Sequence, residues 1–86
     1  MEYPVHNPTV TDVSMATTEL VLGVLREFPQ ARIKPHPPYD DEDICLDVYL
    51  PGTPDELAAA RQRIVELEIE IQDKYHVYTT VMVLPQ

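Results

Sequence analysis

Residues 53–74, TPDELAAARQRIVELEIEIQDK, decide the fold, because they carry both a helix start signal and a continuous apolar stripe. Thr53 and Glu56 form a capping box, in which each side chain accepts a hydrogen bond from the other residue's backbone N–H, and Pro54 suits the first helical position. The apolar residues are spaced by three and four, which places them on one helix face: Leu57, Ala60, Ile64, Leu67 and Ile71. At about 1.5 Å per residue the helix is roughly 30 Å long, enough to span a small sheet.

A second helix is predicted upstream of this one. Asp12 or Ser14 can serve as its N-cap, and it ends at Phe28, because the residue before Pro29 avoids the helical region. Its apolar residues form a broad arc, which we expect to pack on the sheet and beside the long helix: Val13, Leu20, Val21, Val24, Leu25 and Phe28.

Met15 and Leu22 lie outside this arc, and two interpretations of them remain open. Either the helix is apolar around most of its girth because it packs on the sheet and flanks the long helix, or these two side chains belong to a dimer contact. Gly23 costs roughly 1 kcal/mol relative to alanine in a helix interior, so it indicates a close helix crossing.

Three segments have the alternating pattern of β-strands: residues 31–34, 43–50 and 75–84. The middle segment alternates most cleanly. One of its faces is apolar and is predicted to be the core face: Ile44, Leu46, Val48 and Leu50. The other face is wetter: Asp43, Cys45, Asp47 and Tyr49.

Prolines and acidic residues separate the first two strands, which predicts a hairpin. In this hairpin Arg32 and Lys34 are placed to pair across the strands with Asp43 and Asp47. The last strand has no charge on either face, which is typical of a central strand or of an adhesive edge strand.

The order helix, strand, strand, helix, strand predicts an α+β fold. We expect a two-layer sandwich in which two helices cover one face of a three-stranded mixed sheet, with the last strand parallel to the strand before it because the crossover is right-handed. Residues 1–11 contain Pro4 and Pro8 and show no periodicity, so a flexible N-terminal arm is predicted there, followed by a single domain over residues 12–86.

This topology is similar to that of type II KH-like and protease-prodomain-like folds. RNA binding of the KH type would imply a Gly-x-x-Gly loop, and the only glycines of the chain are Gly23 and Gly52. The charge also opposes nucleic-acid binding, since 15 acidic residues face 6 basic ones and the net charge is −9. The same charge opposes binding to anionic lipid surfaces.

The sequence favours a cytoplasmic location. No apolar run approaches the ~18–20 residues needed to cross a bilayer, and the initial MEYP lacks the basic and apolar parts of a signal peptide. The single cysteine, Cys45, is typical of a reducing compartment.

Residues 42–84 resemble the second half of a minimal nucleotidyltransferase domain. The resemblance lies in EDICLDV at residues 42–48, in a helix that ends EIQDKY at residues 70–75, and in the strand that follows. In that family, carboxylates on neighbouring strands hold two metal ions that clamp a triphosphate. The resemblance therefore implies a protein that binds nucleotide and Mg²⁺, or a degenerate relative of such proteins.

Only Asp43 matches the family's three carboxylates. The second carboxylate position falls on Cys45 and the third on about Thr79 or Thr80, and the family's Gly-Ser turn is missing. Asp47 shares a strand face with Asp43, so these two residues are the candidate metal ligands.

Two other clusters each have a chemical and a structural interpretation. His36 and the acidic run at residues 40–43 offer oxygen ligands to a divalent cation, or they form a solvated hairpin loop. Cys45 is a thiol nucleophile with His36 or His76 as its base, or it is a small residue on a strand face.

Ala58, Val65 and Ile69 lie off the main stripe of the long helix, where they meet the first helix or line a groove for a partner. The expected function is a small acidic, non-catalytic interaction or regulatory module without a cofactor, which binds a protein partner or itself as a homodimer. Its predicted interaction surface comprises Met15, Leu22, Val65 and Ile69. The alternative is the nucleotidyltransferase-like protein described above.

Overall fold

Two helices lie on one face of a three-stranded mixed sheet, as the sequence predicts. The computed structural model describes residues 8–38 and 40–86. The elements in chain order are α1 (Val10–Glu27), β1 (Arg32–Pro35), β2 (Ile44–Leu50), α2 (Pro54–Tyr75) and β3 (Thr79–Pro85). The strand order in the sheet is β1-β2-β3, with β1 antiparallel and β3 parallel to the central strand β2.

Helix α2 begins and ends on local signals. The Glu56 N–H donates to Thr53 Oγ1 at 3.2 Å, and the Thr53 N–H donates to Glu56 Oε1 at 2.8 Å, which confirms the capping box. At the other end, His76 adopts a left-handed conformation with φ of 55°, and its N–H donates to the carbonyl of Gln72. The predicted apolar stripe is buried along the whole helix.

Helix α1 begins earlier than predicted. Its N-cap is Thr9 and not Asp12 or Ser14. Asp12 is the third helical residue and completes a second capping box, in which its N–H donates to Thr9 Oγ1 at 3.0 Å and its carboxylate accepts from the Thr9 N–H at 3.1 Å. The predicted arm over residues 1–11 therefore extends two residues into the helix, and its first seven residues lie outside the described part of the chain.

The core lies between the helices and the sheet, where the alternation of β2 predicts it. Ile44, Leu46, Val48 and Leu50 are all buried. The largest fully buried side chains come from all three components of the fold: Leu20 and Val24 of α1, Ile64 of α2 and Val48 of β2. The sheet and both helices thus share one core.

Strand β3 is shorter than predicted, because α2 continues through Tyr75. The Tyr75 ring is buried, and its hydroxyl donates to Glu19 Oε1 of α1 at 2.6 Å. Strand pairing starts only at Thr79, which lies opposite Ile44. β3 is an edge strand, the second of the two alternatives that its uncharged sequence left open.

The register places one of the two predicted pairs together, Lys34 and Asp47, and separates the other. Lys34 lies opposite Asp47, but its Nζ is 5.6 Å from the centre of the Tyr49 ring, and Arg32 is the residue paired with Tyr49. Asp43 precedes β2 and contacts the start of β3 instead.

We expect Thr53→Ala to lower the free energy of unfolding by about 1 kcal/mol, because it removes the acceptor for the Glu56 N–H. Urea unfolding followed by circular dichroism measures this loss. Thr18→Ala is the control, since the exposed Thr18 hydroxyl only donates to the Ser14 carbonyl of its own helix. Equal losses in the two variants would contradict a specific role of the cap.

Candidate functional site

The outer edge of β3 is covered by side chains of α2. The Tyr78 carbonyl accepts from the Ile44 N–H, and the Gln86 N–H donates to the Leu50 carbonyl, so even-numbered residues of this segment direct their backbone groups towards β2. Odd-numbered residues therefore direct theirs outward. Of these outward groups, the Val81 N–H donates to the Glu68 carboxylate, and the Val83 carbonyl accepts from Arg61 Nη2 at 3.1 Å.

Because of these contacts, the uncharged strand β3 is not an open edge strand. An exposed edge strand invites pairing with another chain, and natural sheets commonly block such edges with charged side chains or a covering element. Here Glu68 and Arg61, two turns apart on α2, occupy one donor and one acceptor of the edge. Addition of another strand would have to displace both side chains.

Glu68 is the centre of a small buried polar network. Its side chain is only 8% exposed, and Oε1 accepts from the Thr79 hydroxyl at 2.7 Å. The Thr79 oxygen in turn accepts from Gln72 Nε2 at 2.8 Å. Burial raises the pKa of Glu68, although the hydrogen bonds from Thr79 and Val81 oppose this effect. The network satisfies the buried carboxylate, which is otherwise costly in a core.

The buried position of Glu68 is not among the predictions from the sequence, although its spacing indicates it. It lies four residues after Ile64 and three before Ile71, both of which belong to the apolar stripe, so it shares the buried face of α2. A carboxylate on that face requires donors, and the chain supplies them from β3.

The remaining side of α2 faces helix α1 through ion pairs. Arg63 Nε lies 2.6 Å from Glu27 Oε1, and Lys74 Nζ lies 2.8 Å from Glu19 Oε1. The carboxylate that pairs with Lys74 is thus on α1. The Glu19 contacts with Lys74 and Tyr75 lower the pKa of Glu19, and the Arg63 contact lowers that of Glu27.

Val65 and Ile69 do not meet α1, which corrects one of the two predicted interpretations. On a helix with 100° per residue, they fall on the flank that carries Arg61 and Gln72, above the β3 edge. Their side chains are 49% and 52% exposed. Ala58 is exposed as well.

Met15 and Leu22 are also surface residues, each 51% exposed. Leu22 lines a groove between the two helices, together with Gly23 of α1 and Leu67 of α2. A Cβ built on Gly23 would lie 3.7 Å from Leu67 Cδ2, which is an ordinary contact distance, so the helices touch at this point without a spacing that requires glycine.

The two candidate metal ligands lie in different surroundings. Asp43 Oδ2 accepts from the Tyr78 N–H at 2.8 Å, and the Asp43 N–H donates to the Tyr78 carbonyl, so this residue ties the start of β2 to the start of β3. Asp47 lies on the open face of the sheet, between Lys34 and Met82. Four residues along a strand separate their Cα atoms by about 13 Å.

The other residues of the predicted metal and nucleotide sites are likewise scattered. Thr79 is buried against Glu68, and Thr80 lies opposite Cys45. Among residues 8–38 and 40–86, no cluster of three or more His, Cys, Asp or Glu side chains is arranged to hold a metal ion.

Cys45 is buried, with 5% of its surface exposed. Its carbonyl accepts from the His36 N–H at 2.9 Å, and His36 Nδ1 lies 2.7 Å from the Pro37 carbonyl oxygen. A buried thiol on a strand face has the environment of a small apolar residue. His76, the other candidate base, is the C-cap of α2.

Comparison with protein-family models, with curated proteins and with solved structures finds no match to this chain. Neither helix of the described residues is long and apolar enough to cross a membrane.

We expect Glu68→Gln to be more stable than the wild type at pH 7. Because the pKa of Glu68 is raised in the folded protein, its contribution to stability is greatest below the unfolded carboxyl pKa and is lost as pH rises through the folded value. Glutamine avoids this loss, because its side chain stays uncharged over this pH range. Thermal unfolding between pH 4 and pH 7 measures the difference, which should shrink towards pH 4.

Glu66→Gln on the exposed side of α2 is the matched control, since its ion pair with Arg63 is long, at 3.8 Å, and exposed. If Glu68→Gln behaved like this control at every pH, the buried network would not influence stability as described.

Asp43→Ala should lower stability by about 1–2 kcal/mol, because the Tyr78 N–H loses its charged acceptor. Asp43→Asn retains an oxygen at this place and should lose less than half as much. Urea unfolding of both variants, with and without Mg²⁺, checks the structural role. A stabilisation by Mg²⁺ that vanishes in the asparagine variant would instead identify Asp43 as a metal ligand.

Proposed function

We propose that the protein is a small, non-catalytic interaction or regulatory module of the cytoplasm that acts through self-association. The observation that carries this proposal is the half-exposed apolar surface of both helices, at Met15 and Leu22 on α1 and at Val65 and Ile69 on α2. Each pair repeats at helical spacing and therefore forms part of a stripe, unlike apolar residues scattered singly over a surface.

The α2 side chains that cover the outer edge of β3 favour the helices over the strands as the contact surface. Arg61 and Glu68 occupy outward backbone groups of the edge, so that pairing of β3 with a strand of another chain is opposed. The helices instead present apolar side chains that are about half exposed.

The charge distribution supports a protein partner over a nucleic acid or an anionic membrane. Of the 6 basic residues, Arg61, Arg63 and Lys74 contact groups of their own chain. Little positive charge is then available to replace counterions on phosphates, which supply most of the affinity for nucleic acids.

Sedimentation velocity of the whole chain over micromolar concentrations tests the proposal. We expect a dimer in the wild type and a monomer when Met15, Leu22, Val65 and Ile69 are all changed to glutamine, a good helix former. Circular dichroism should show the same fold in both proteins, because none of the four side chains belongs to the core.

A double variant, Val10→Gln with Met82→Gln, is the matched control, since it removes exposed apolar side chains outside this set. It should remain dimeric. A wild-type protein that stays monomeric at high micromolar concentration would contradict the proposal.

A further inference from the structure

The groove between α1 and α2 has a shape and a charge pattern that suit one particular occupant. It has a volume of about 310 Å³, and its walls include Glu19, Leu22, Gly23 and Arg26 of α1 and Leu67 and Glu70 of α2. Gly23 leaves space in its floor, whereas Leu22 beside it projects from the surface with half of its side chain exposed. The surface thus presents an exposed leucine next to a groove that has charged walls and Gly23 in its floor.

The positions of Glu19 and Arg26 at the groove fit a two-fold axis that relates two copies of α1. In an antiparallel pair of identical helices, the numbers of two facing residues add up to a constant. An axis that places Leu22 opposite Gly23 of the other helix also places Glu19 opposite Arg26. These last two residues are seven positions apart, about two turns, and so lie on the same side of α1.

We propose that a second copy of this chain occupies the groove, with the two α1 helices antiparallel about an axis near Leu22 and Gly23. Leu22 of each copy packs over Gly23 of the other, and Arg26 of each copy faces Glu19 and Glu70 of the other. Such an isologous contact uses the same patch twice and closes at the dimer. This inference rests on the self-association proposed above and gives it one surface.

Charge complementarity favours a second copy over a different protein. The groove carries both signs, although the chain as a whole has a net charge of −9. Glu19 already binds Lys74 and Tyr75, whereas Glu70 is exposed on the rim and is the freer partner for an incoming guanidinium. Two copies of a strongly acidic protein repel each other, so their contact surface must include positive charge as well as negative charge.

Charge reversal at two positions tests the pairing between copies. In the Arg26→Glu dimer, the new glutamate of each copy faces Glu70 of the other copy. In the Glu70→Lys dimer, Arg26 of each copy faces the new lysine of the other copy. Because both symmetric contacts then bring like charges together, each variant alone should dimerise at least about tenfold more weakly than the wild type. In an equimolar mixture of the two variants, the new glutamate of one copy faces the new lysine of the other, and the second contact is the native pair of Arg26 with Glu70. Sedimentation equilibrium should therefore show dimers in the mixture.

This rescue by mixing distinguishes contact between copies from an effect within one chain, which mixing cannot repair. Leu22→Lys should also yield monomers, whereas Val65→Lys, at an equally exposed position on the other flank of α2, should not. Single variants that dimerise like the wild type, or a mixture that stays monomeric, would overturn the proposed surface. A dimer lost in Val65→Lys but kept in Leu22→Lys would place the contact on the other flank, with self-association itself retained.

Discussion

The structure depends on helix α2, because three different sides of this helix contact the core, α1 and the edge of β3. One side carries the apolar stripe that covers the sheet, with Ile64 fully buried beside Leu20 and Val48. A second side holds α1 through Arg63 and Lys74. A third side reaches over the edge of β3 through Arg61 and Glu68. A chain of 86 residues has only a modest core, so it is significant that α2 contacts both the other helix and the sheet.

This arrangement links the fold to the proposed function. Three strands leave two edges, and the edge with the uncharged sequence is the one on which α2 places charged side chains. In the described part of the chain, Leu22 stays half exposed at the groove, whose floor includes Gly23. Edge protection and the exposed apolar side chains of the helices are the basis for the proposed association through helices, and the excess of acidic residues is the reason for placing the proposed self-contact at a patch that contains Arg26.

Much of the fold follows from local signals in the sequence. The Thr53 capping box, the stripe on α2 and the alternation of β2 each act over a few residues, and together they specify element order, core face and sheet direction. The start of α1 was predicted wrongly because Asp12 resembles an N-cap, whereas it is the acidic partner of Thr9 in a capping box. Of the two predicted cross-strand pairs, Lys34 does lie opposite Asp47, whereas Arg32 lies opposite Tyr49 and Asp43 binds the backbone of Tyr78.

The surface was less predictable than the core, because it depends on how elements meet. A helical wheel separates Val65 and Ile69 from the stripe but does not say which neighbour lies on their flank. Glu68 could have been placed on the buried face from its spacing, yet its donors are on a strand eleven or more residues away. The four predicted surface residues are exposed, and their division between two flanks required the tertiary structure.

The cover of α2 over the β3 edge is most directly tested by native-state hydrogen exchange of the Val81 amide. This N–H points away from the sheet and donates to Glu68, so we expect protection comparable to that of the neighbouring Met82 amide, which faces β2. In Glu68→Ala, exchange at Val81 should accelerate while exchange at Met82 remains slow. Rapid exchange of the Val81 amide in the wild type, at the rate of an unprotected peptide, would show that α2 does not protect this edge.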